Sequence, residues 1–540
     1  MTCLKSAVSA LAVLAFAAST ANATGFSRPI HPLHPTGHVG AHNAPLTNAR
    51  STPTVTSGTW TPLTNPFPGS SFPDTALLLT DGTVIMHGGC TREWWRLTPD
   101  NKGNYAKGTW TQIAMLPKGY LPLYFASQVL SDGRVIMNGG EYINCNPVWS
   151  NAGAIYDPVA DKWTSVTPPP GWNNIGDAQS TVLSDGSYML ADLNFDAVIA
   201  SISGNTVTWT PTGTGKGDRY NEEGWTIIPD QRLFTVDANR ALDTSNSQTE
   251  IYTPLTGTWT TVKQAPAQFT DPVAHEIGPG VLMASGKVFQ LGANSCADPS
   301  CPGHTGLYDP AKNKWTLGPD IPGDEAGLHN VSDGPAALLP NGHVLFQASP
   351  NAGSNFNTPS HFYEFDGTSI VQVNEPSSAP NIAAYEGRML LLPSGQVFWS
   401  ADVGDVEVYT PTGKPVAKAV PTIISSPATV KQGKSNYSIS GTMFNGVSEG
   451  AYYGDDAQSS TNYPIVRIKN NATGHVCFAK THDFSKRGIG VVGETVTAQF
   501  NIPAATPRTG ILPCETGAST LQVIVNGIPS AKVNVTVNAG

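Results

Sequence analysis

Six carboxylates recur at nearly the same place in a repeated motif. Asp74, Asp177, Glu223, Glu276, Asp333 and Glu386 each stand seven to nine residues before a tight turn, at Asp81, Asp185, Asp230, Ser285, Asn341 and Ser394. A seventh turn, at Asp132, has Tyr124-Phe125 where the others have the acid. His275 and Tyr385 adjoin two of the acids. Carboxylates gathered from separate repeats cannot all ionise cheaply, so each must be protonated, paired with a cation or bound to a metal. Those are the electrostatics of a functional site. A structural role competes with this reading, because an acid at a strand start can also accept backbone N–H bonds.

The acids are carried by a unit with a polar start, an apolar strand, an Asp-Gly-like turn and a second apolar strand. Copies read SSFPDTALLLTDGTVIMHGG from Ser70, YFASQVLSDGRVIMNGG from Tyr124 and GDAQSTVLSDGSYMLAD from Gly176. They continue with NEEGWTIIPDQRLFTVD from Asn221, AHEIGPGVLMASGKVFQLG from Ala274, SDGPAALLPNGHVLFQA from Ser332 and AAYEGRMLLLPSGQ from Ala383. Seven copies spaced 45 to 56 residues apart match the period of kelch-type propeller blades. First strands of blades line the central channel, so the equal offsets predict a ring of acids at one mouth of it. Most copies continue into a Tyr…Trp-Thr strand pair, as at Tyr156 and Trp163, Tyr252 and Trp259, and Tyr308 and Trp315. These aromatics are expected to pack between blades. The last copy reaches Tyr409 without a following Trp-Thr, whereas Trp60-Thr61 stands alone before the first. Both chain ends are therefore expected to share one blade, closing the ring and removing an exposed edge. This sets a propeller over residues 58–415. Alternating strands between Asn436 and Val537 predict an Ig-like β-sandwich over 421–540, so the expected fold is all-β.

Only 13% of the 540 residues are charged, the formal net charge is −10 and there is no basic stripe, which argues against nucleic acid as a partner. Residues 1–23 combine Lys5, an apolar run from Ala7 to Ala18 and Ala21-Asn22-Ala23. This is the pattern of a cleaved signal peptide, too short in its apolar part to span a bilayer. A secreted protein without a membrane span is expected. Residues 24–57, with His31, His34, His38 and His42, read as a flexible segment. Beyond the leader, Cys90, Cys145, Cys296, Cys301, Cys477 and Cys514 form an even set suited to disulfides. Cys296 and Cys301 would close a small loop, Cys90 and Cys145 would bridge adjacent blades, and Cys477 and Cys514 would staple the C-terminal domain. Six cysteines allow 15 pairings, and spacing alone does not select one. Gly450 to Asp456 is a Gly- and Asp-rich stretch that could reach toward the channel from the second domain.

A seven-bladed kelch propeller followed by an Ig-like domain resembles the galactose oxidase and glyoxal oxidase family, over nearly all of the chain beyond the leader. That family holds copper on the propeller axis, with a Tyr and a His from Tyr-His-x-x-x-Leu-Leu-Leu-Pro-Asp-Gly and a second His from a Thr-His motif. The matching segment here runs from Tyr385 to Gly395, with Glu386 in place of the His. Thr481-His482 resembles the second motif. Asp177 stands where the family has its radical-storing Tyr, and no Cys occurs near Phe125 to Ser127 to cross-link it. The resemblance thus implies an axial site of Asp177, Tyr385, Glu386 and His482 without the redox pair, which disfavours copper radical chemistry. Hard donors of this kind suit Ca²⁺.

Three functional readings follow. The first is a secreted carbohydrate-active hydrolase with Glu386 and Asp177 as acid and base. In it His482 orients, Tyr385 stabilises charge, and Asp74, Glu223, Glu276, Asp333 and His275 bind the substrate. The second is a non-catalytic propeller that binds a glycan or a cell-surface protein. The third is a copper oxidase with atypical ligands.

Overall fold

The Asp-Gly-like turns are built by their own side chains. In the first, Asp81 Oδ1 accepts the Thr83 N–H at 3.0 Å while Gly82 turns through φ +73°, a left-handed conformation that glycine adopts without a Cβ penalty. Asp132, Asp185 and Asn341 close their turns on the residue two positions on in the same way. Each turn joins two almost fully buried strands, which is why both strands read as continuous apolar runs.

The computed structural model describes residues 58–176, 179–239, 246–296, 298–351, 356–453, 459–508 and 510–540. The predicted leader and the segment to residue 57 lie outside the described residues. Seven blades follow one another along the chain, six as separate four-stranded sheets and the sixth blade as four strands of a larger, seven-stranded sheet. Their innermost strands are Pro73–Leu78, Ala126–Val129, Ser180–Val182, Thr226–Ile227, Gly280–Leu282, Pro335–Leu338 and Gly387–Leu391. The seventh sheet takes its outer strand from the start of the described chain: Thr59–Pro62 pairs antiparallel with Val406–Thr410, and Trp60 lies opposite Tyr409. The protein is an all-β, seven-bladed kelch-type propeller followed by an Ig-like sandwich.

Aromatic side chains pack across the two outer strands within a blade and also between blades, as where Trp94 of blade 1 meets Trp163 of blade 2 with ring centroids 5.4 Å apart. Tyr156 packs on Trp163, Tyr252 on Trp259 and Tyr308 on Trp315, with ring centroids 5.0, 5.4 and 5.2 Å apart. Outer-strand indoles also donate to a carbonyl just past the outer strand of the preceding blade. Trp110 Nε1 reaches Asn65 O at 3.1 Å, Trp209 Nε1 reaches Thr167 O at 2.8 Å, and Trp60 Nε1 reaches Asn374 O at 2.6 Å. One side chain thus supplies apolar area to its own blade and a hydrogen bond to the preceding one.

In the C-terminal sandwich, Val476–His482 belongs to both sheets. Its first half pairs with Ile465–Asn470 and its second half with Thr495–Asn501. The sandwich covers the turn end of the propeller: Thr481 N donates to Thr80 O at 3.1 Å, Arg487 N to Ser184 O at 2.9 Å, and Ile489 N to Gln231 Oε1 at 3.0 Å. From this face the strands Gly450–Tyr453 and Ser459–Ser460 thread the propeller axis. Gly450–Tyr453 pairs with the innermost strand of blade 6, Ala336 opposite Tyr452, and the two strands lie against the innermost strands of blades 1, 2, 5 and 7. At their base, Glu449 accepts from Thr181 Oγ1 at 3.2 Å and Ile227 N at 3.0 Å, so the plug touches every blade. The rest of the stretch noted in the sequence, residues 454–456, lies outside the described residues.

Three disulfides form: Cys90–Cys145 across blades 1 and 2, Cys296–Cys301 within blade 5, and Cys477–Cys514 within the sandwich. Among the described residues no helix is long and apolar enough to cross a membrane.

Burial pushes the Glu449 carboxyl up to about 7 from 4.5. The folded protein therefore keeps a proton that the unfolded chain releases. The resulting stability is fully present below about pH 4.5 and is lost as the pH rises through about 7, a loss of about 3 kcal/mol. Tm measured from pH 4.5 to 8 should fall less steeply for Glu449→Gln than for the wild type. Parallel curves would show that Glu449 does not carry the proton.

Candidate functional site

At the end of the propeller away from the sandwich, the chain enters the innermost strands through unusual backbone. Tyr124, Glu222, His275 and Asp333, at matching places in blades 2, 4, 5 and 6, have φ of 50, 63, 68 and 50°. In blade 3 the same place is taken by Gly176 at 66°. Each non-glycine residue held there costs on the order of 1 kcal/mol, and strain of this kind clusters at functional sites. The result is an acidic centre. Carboxylate oxygens of Glu222, Glu276 and Asp333, from three successive blades, all lie within 4.8 Å of one another, and all three residues are buried. His275 precedes Glu276 and turns its Nδ1 toward Ala238 O at 3.3 Å.

The other acids named from the sequence reach the same end but are engaged differently. Asp74 is paired with Arg388 Nη2 at 3.1 Å and His87 Nδ1 at 3.2 Å. Burial opposes its ionisation, yet His87 and Arg388 hold it below the usual carboxylate range. Arg388 also donates to Tyr385 O and Gly387 O at 2.6 and 2.9 Å and lies over the Tyr124 ring. Glu386 accepts the Ala383 N–H at 2.7 Å and so caps the short 3-10 turn Ala384–Glu386. Tyr385 is buried beside Phe356, and burial, with Glu386 and Asp402 nearby, raises its phenol well above the ordinary range.

Glu223 points away from Glu222 into the blade. There Lys216 Nζ contacts Glu223 at 3.1 Å, Glu250 at 2.9 Å, Asp237 at 3.6 Å and Asp218. Four carboxylates around one ammonium are over-neutralised. Burial first, then crowding by Asp218, Asp237 and Glu250, drives Glu223 well above its ordinary range although Lys216 opposes the shift. A proton therefore stays in the cluster.

His482 lies elsewhere. Its Nδ1 meets Asp483 Oδ2 at 2.9 Å and its Nε2 meets Asn501 Oδ1 at 3.0 Å, both within the sandwich. Neighbouring Thr481 is bonded to the turn end of blade 1. A strand length separates that end from Tyr385 and Glu386, so the structure does not bring His482 to them. Asp177 lies outside the described residues.

The sequence reading missed Glu222 and Lys216, and although Arg388 could be expected to tie one of the acids, it did not single out Asp74 as the one. Glu222 stands next to the residue it did select, and successive strand residues face opposite ways. Alignment on the turn, with offsets that vary by two residues, could not decide between them. Among the described residues the donor cluster at this end is Glu222, Glu276 and Asp333, all carboxylates. The imidazole pair implied by the family's copper is not assembled, so these residues do not fit that copper and suit a hard cation instead.

Lys216→Met should be strongly destabilising, by about 3–5 kcal/mol, because it strands buried carboxylates without their cation. A urea-unfolding midpoint equal to that of the wild type would show that the cluster is neutral without the lysine.

No protein-family model matches the chain. A kelch-like protein, terF of Aspergillus terreus (strain NIH 2624 / FGSC A1156), is 30% identical over 134 residues, 24% of this chain and 27% of its own length. The chain thus matches about a quarter of the length of that relative. Among solved structures, a fungal alcohol oxidase of the AA5 family in complex with copper is similar at 17% identity, with a TM-score of 0.41 over 86% of this chain and 85% of that one. YjhT is similar at 14% identity, with a TM-score of 0.39 over 58% of this chain and 99% of its own. The chain is thus similar over about a quarter of its length to a kelch-like protein, and its fold is a seven-bladed propeller with a C-terminal sandwich.

Proposed function

We propose that the protein is an exported carbohydrate-binding propeller whose ligand is held through a hard divalent cation, Ca²⁺ by preference, at Glu222, Glu276 and Asp333. The observation that carries this is the convergence of three buried carboxylates from three blades within 4.8 Å. Three carboxylates at that spacing need protons, cationic side chains or a bound cation. Ca²⁺ accepts six to eight oxygens in flexible geometry. Three carboxylates leave coordination positions open, and vicinal hydroxyls of a sugar are oxygen donors of the right hardness. Export is supported by the predicted leader and by three disulfides, which persist in oxidising compartments. Binding is favoured over hydrolysis because Glu386, the leading acid in the hydrolase reading, caps a turn, and Asp74 is neutralised by Arg388.

Calorimetric titration of chelator-stripped protein with CaCl₂ should show one site. Glu276→Gln and Asp333→Asn should each weaken it at least tenfold, and glycan-array binding should vanish in EDTA and return with Ca²⁺. Absence of Ca²⁺ binding at millimolar concentration would overturn the proposal, as would one equivalent of copper in the native protein accompanied by alcohol oxidation.

A further inference from the structure

Blade 6 carries a second cluster, remote in character from the axial carboxylates. Its residues are Asp324, His329 and His361. His329 lies on His329–Asn330, which pairs with the second strand of the blade, His329 opposite Pro350. His361 starts the third strand, His361–Phe365. The two imidazoles are stacked, with centroids 4.8 Å apart and planes 7° from parallel. Both residues are buried, at 0% and 2% exposure. Both turn Nε2 toward one carboxylate: His329 Nε2 lies 3.3 Å from Asp324 Oδ1 and His361 Nε2 lies 3.1 Å from Asp324 Oδ2. Neither Nε2 has a hydrogen-bond partner.

The opposite edge of each ring fixes where its proton sits. Tyr363 donates its hydroxyl to Pro322 O at 3.0 Å, which assigns the contact of 2.7 Å between His329 Nδ1 and Tyr363 Oη to an N–H on Nδ1. His361 Nδ1 meets Glu375 Oε1 at 2.8 Å, and a carboxylate accepts, so His361 also carries its N–H on Nδ1. Gln372 Nε2 holds Glu375 Oε1 in place at 2.7 Å. The neutral rings therefore aim two bare Nε2 lone pairs at a carboxylate, and all three groups are acceptors. A second proton on His361 would satisfy one Nε2 and leave the other. Protonating both would stack two imidazolium rings in the interior against one Asp324 charge.

We infer that Asp324, His329 and His361 form a binding site for a borderline transition-metal cation of the Zn²⁺ class. Donors on a tetrahedral ion with bonds of about 2.0–2.1 Å are about 3.3–3.4 Å apart, close to the two Nε2–oxygen separations. Tyr363 and Glu375 supply the outer hydrogen bonds that orient metal-binding imidazoles. Asp324 keeps 29% of its side chain exposed, so solvent reaches the ion, and three protein ligands leave a fourth position for water. Imidazole nitrogen selects this class over Ca²⁺, so the site is chemically distinct from the axial one.

The test is metal content and titration of the full-length protein, with Zn²⁺ alone as the probe and Co²⁺ as its spectroscopic substitute. One equivalent of zinc should survive desalting, and Co²⁺ should give the intense visible bands of a tetrahedral N/O site. The double variant His329→Gln/His361→Gln should lose the metal. Asp324→Asn, at a partly exposed turn, tests the site even if the double variant does not fold, and should lower zinc affinity at least tenfold. Glu375→Gln should lower it about 10–100-fold and leave the Co²⁺ bands tetrahedral. Glu276→Gln should leave zinc unchanged. Failure of the wild type to bind Zn²⁺ at millimolar concentration, or full retention in Asp324→Asn, would overturn the inference.

Discussion

The pairing of Thr59–Pro62 with Val406–Thr410 is the interaction on which the other features of this protein depend. Seven sheets in series would otherwise end in an unpaired third strand, with its N–H and C=O groups open to another chain. Taking the last strand from the other end of the chain removes that edge and holds the ring shut. Trp60 reinforces the seam from both sides, packing edge-on to Phe362 and tilted against Tyr409 at 5.0 and 4.9 Å and donating to Asn374 O. Closure also has a chemical consequence. Seven strand starts must then meet around one axis, and whatever polar groups they carry are concentrated there.

The protein resolves that crowding in several ways at once. Asp74 is neutralised by Arg388 and held by His87. Four acids in blade 4 share Lys216 and retain a proton. Glu386 satisfies a turn. Asp402 is held well above its ordinary range by burial first, with Asp74 and Glu386 pushing the same way. Glu222, Glu276 and Asp333 converge from three blades and sit on left-handed backbone or beside it. The cost of that backbone is met by the packing of the blades, which is where a site prepared for a ligand would store it.

The repeat, the turns and the all-β class were legible because they rest on local chemistry. An Asp or Asn side chain closing on the residue two ahead, followed by a left-handed glycine, leaves its mark within four residues. The site was legible only as a level along the axis. Whether a given acid faces the channel or its own blade depends on single-residue register, and a slip of one reverses it, as Glu222 and Glu223 illustrate. The cations come from places that no local pattern marks. Lys216 lies in the connection before the innermost strand of blade 4, and Arg388 pairs with an acid 314 residues away. His482 shows the opposite difficulty. A dipeptide that resembles a ligand motif sits where the Val476–His482 strand passes between sheets, and its ring is held by Asp483 and Asn501.

The plug decides from which side the axial acids can be approached. Gly450–Tyr453 and Ser459–Ser460 fill the centre between the innermost strands, and the sandwich covers the turns of the first four blades. Gly527 of the sandwich comes so close to blade 7 that a Cβ there would stand 2.8 Å from Gly395 Cα, leaving no passage along that seam. A ligand for Glu222, Glu276 and Asp333 must therefore arrive from the opposite face, where the loops between blades surround the strand starts. Variation that alters ligand choice belongs in those loops, which can change without loss of the ring. Variation in the plug or in the sandwich face acts instead through the stability of the closed propeller, because Glu449 and its neighbours touch the blades and not the acids.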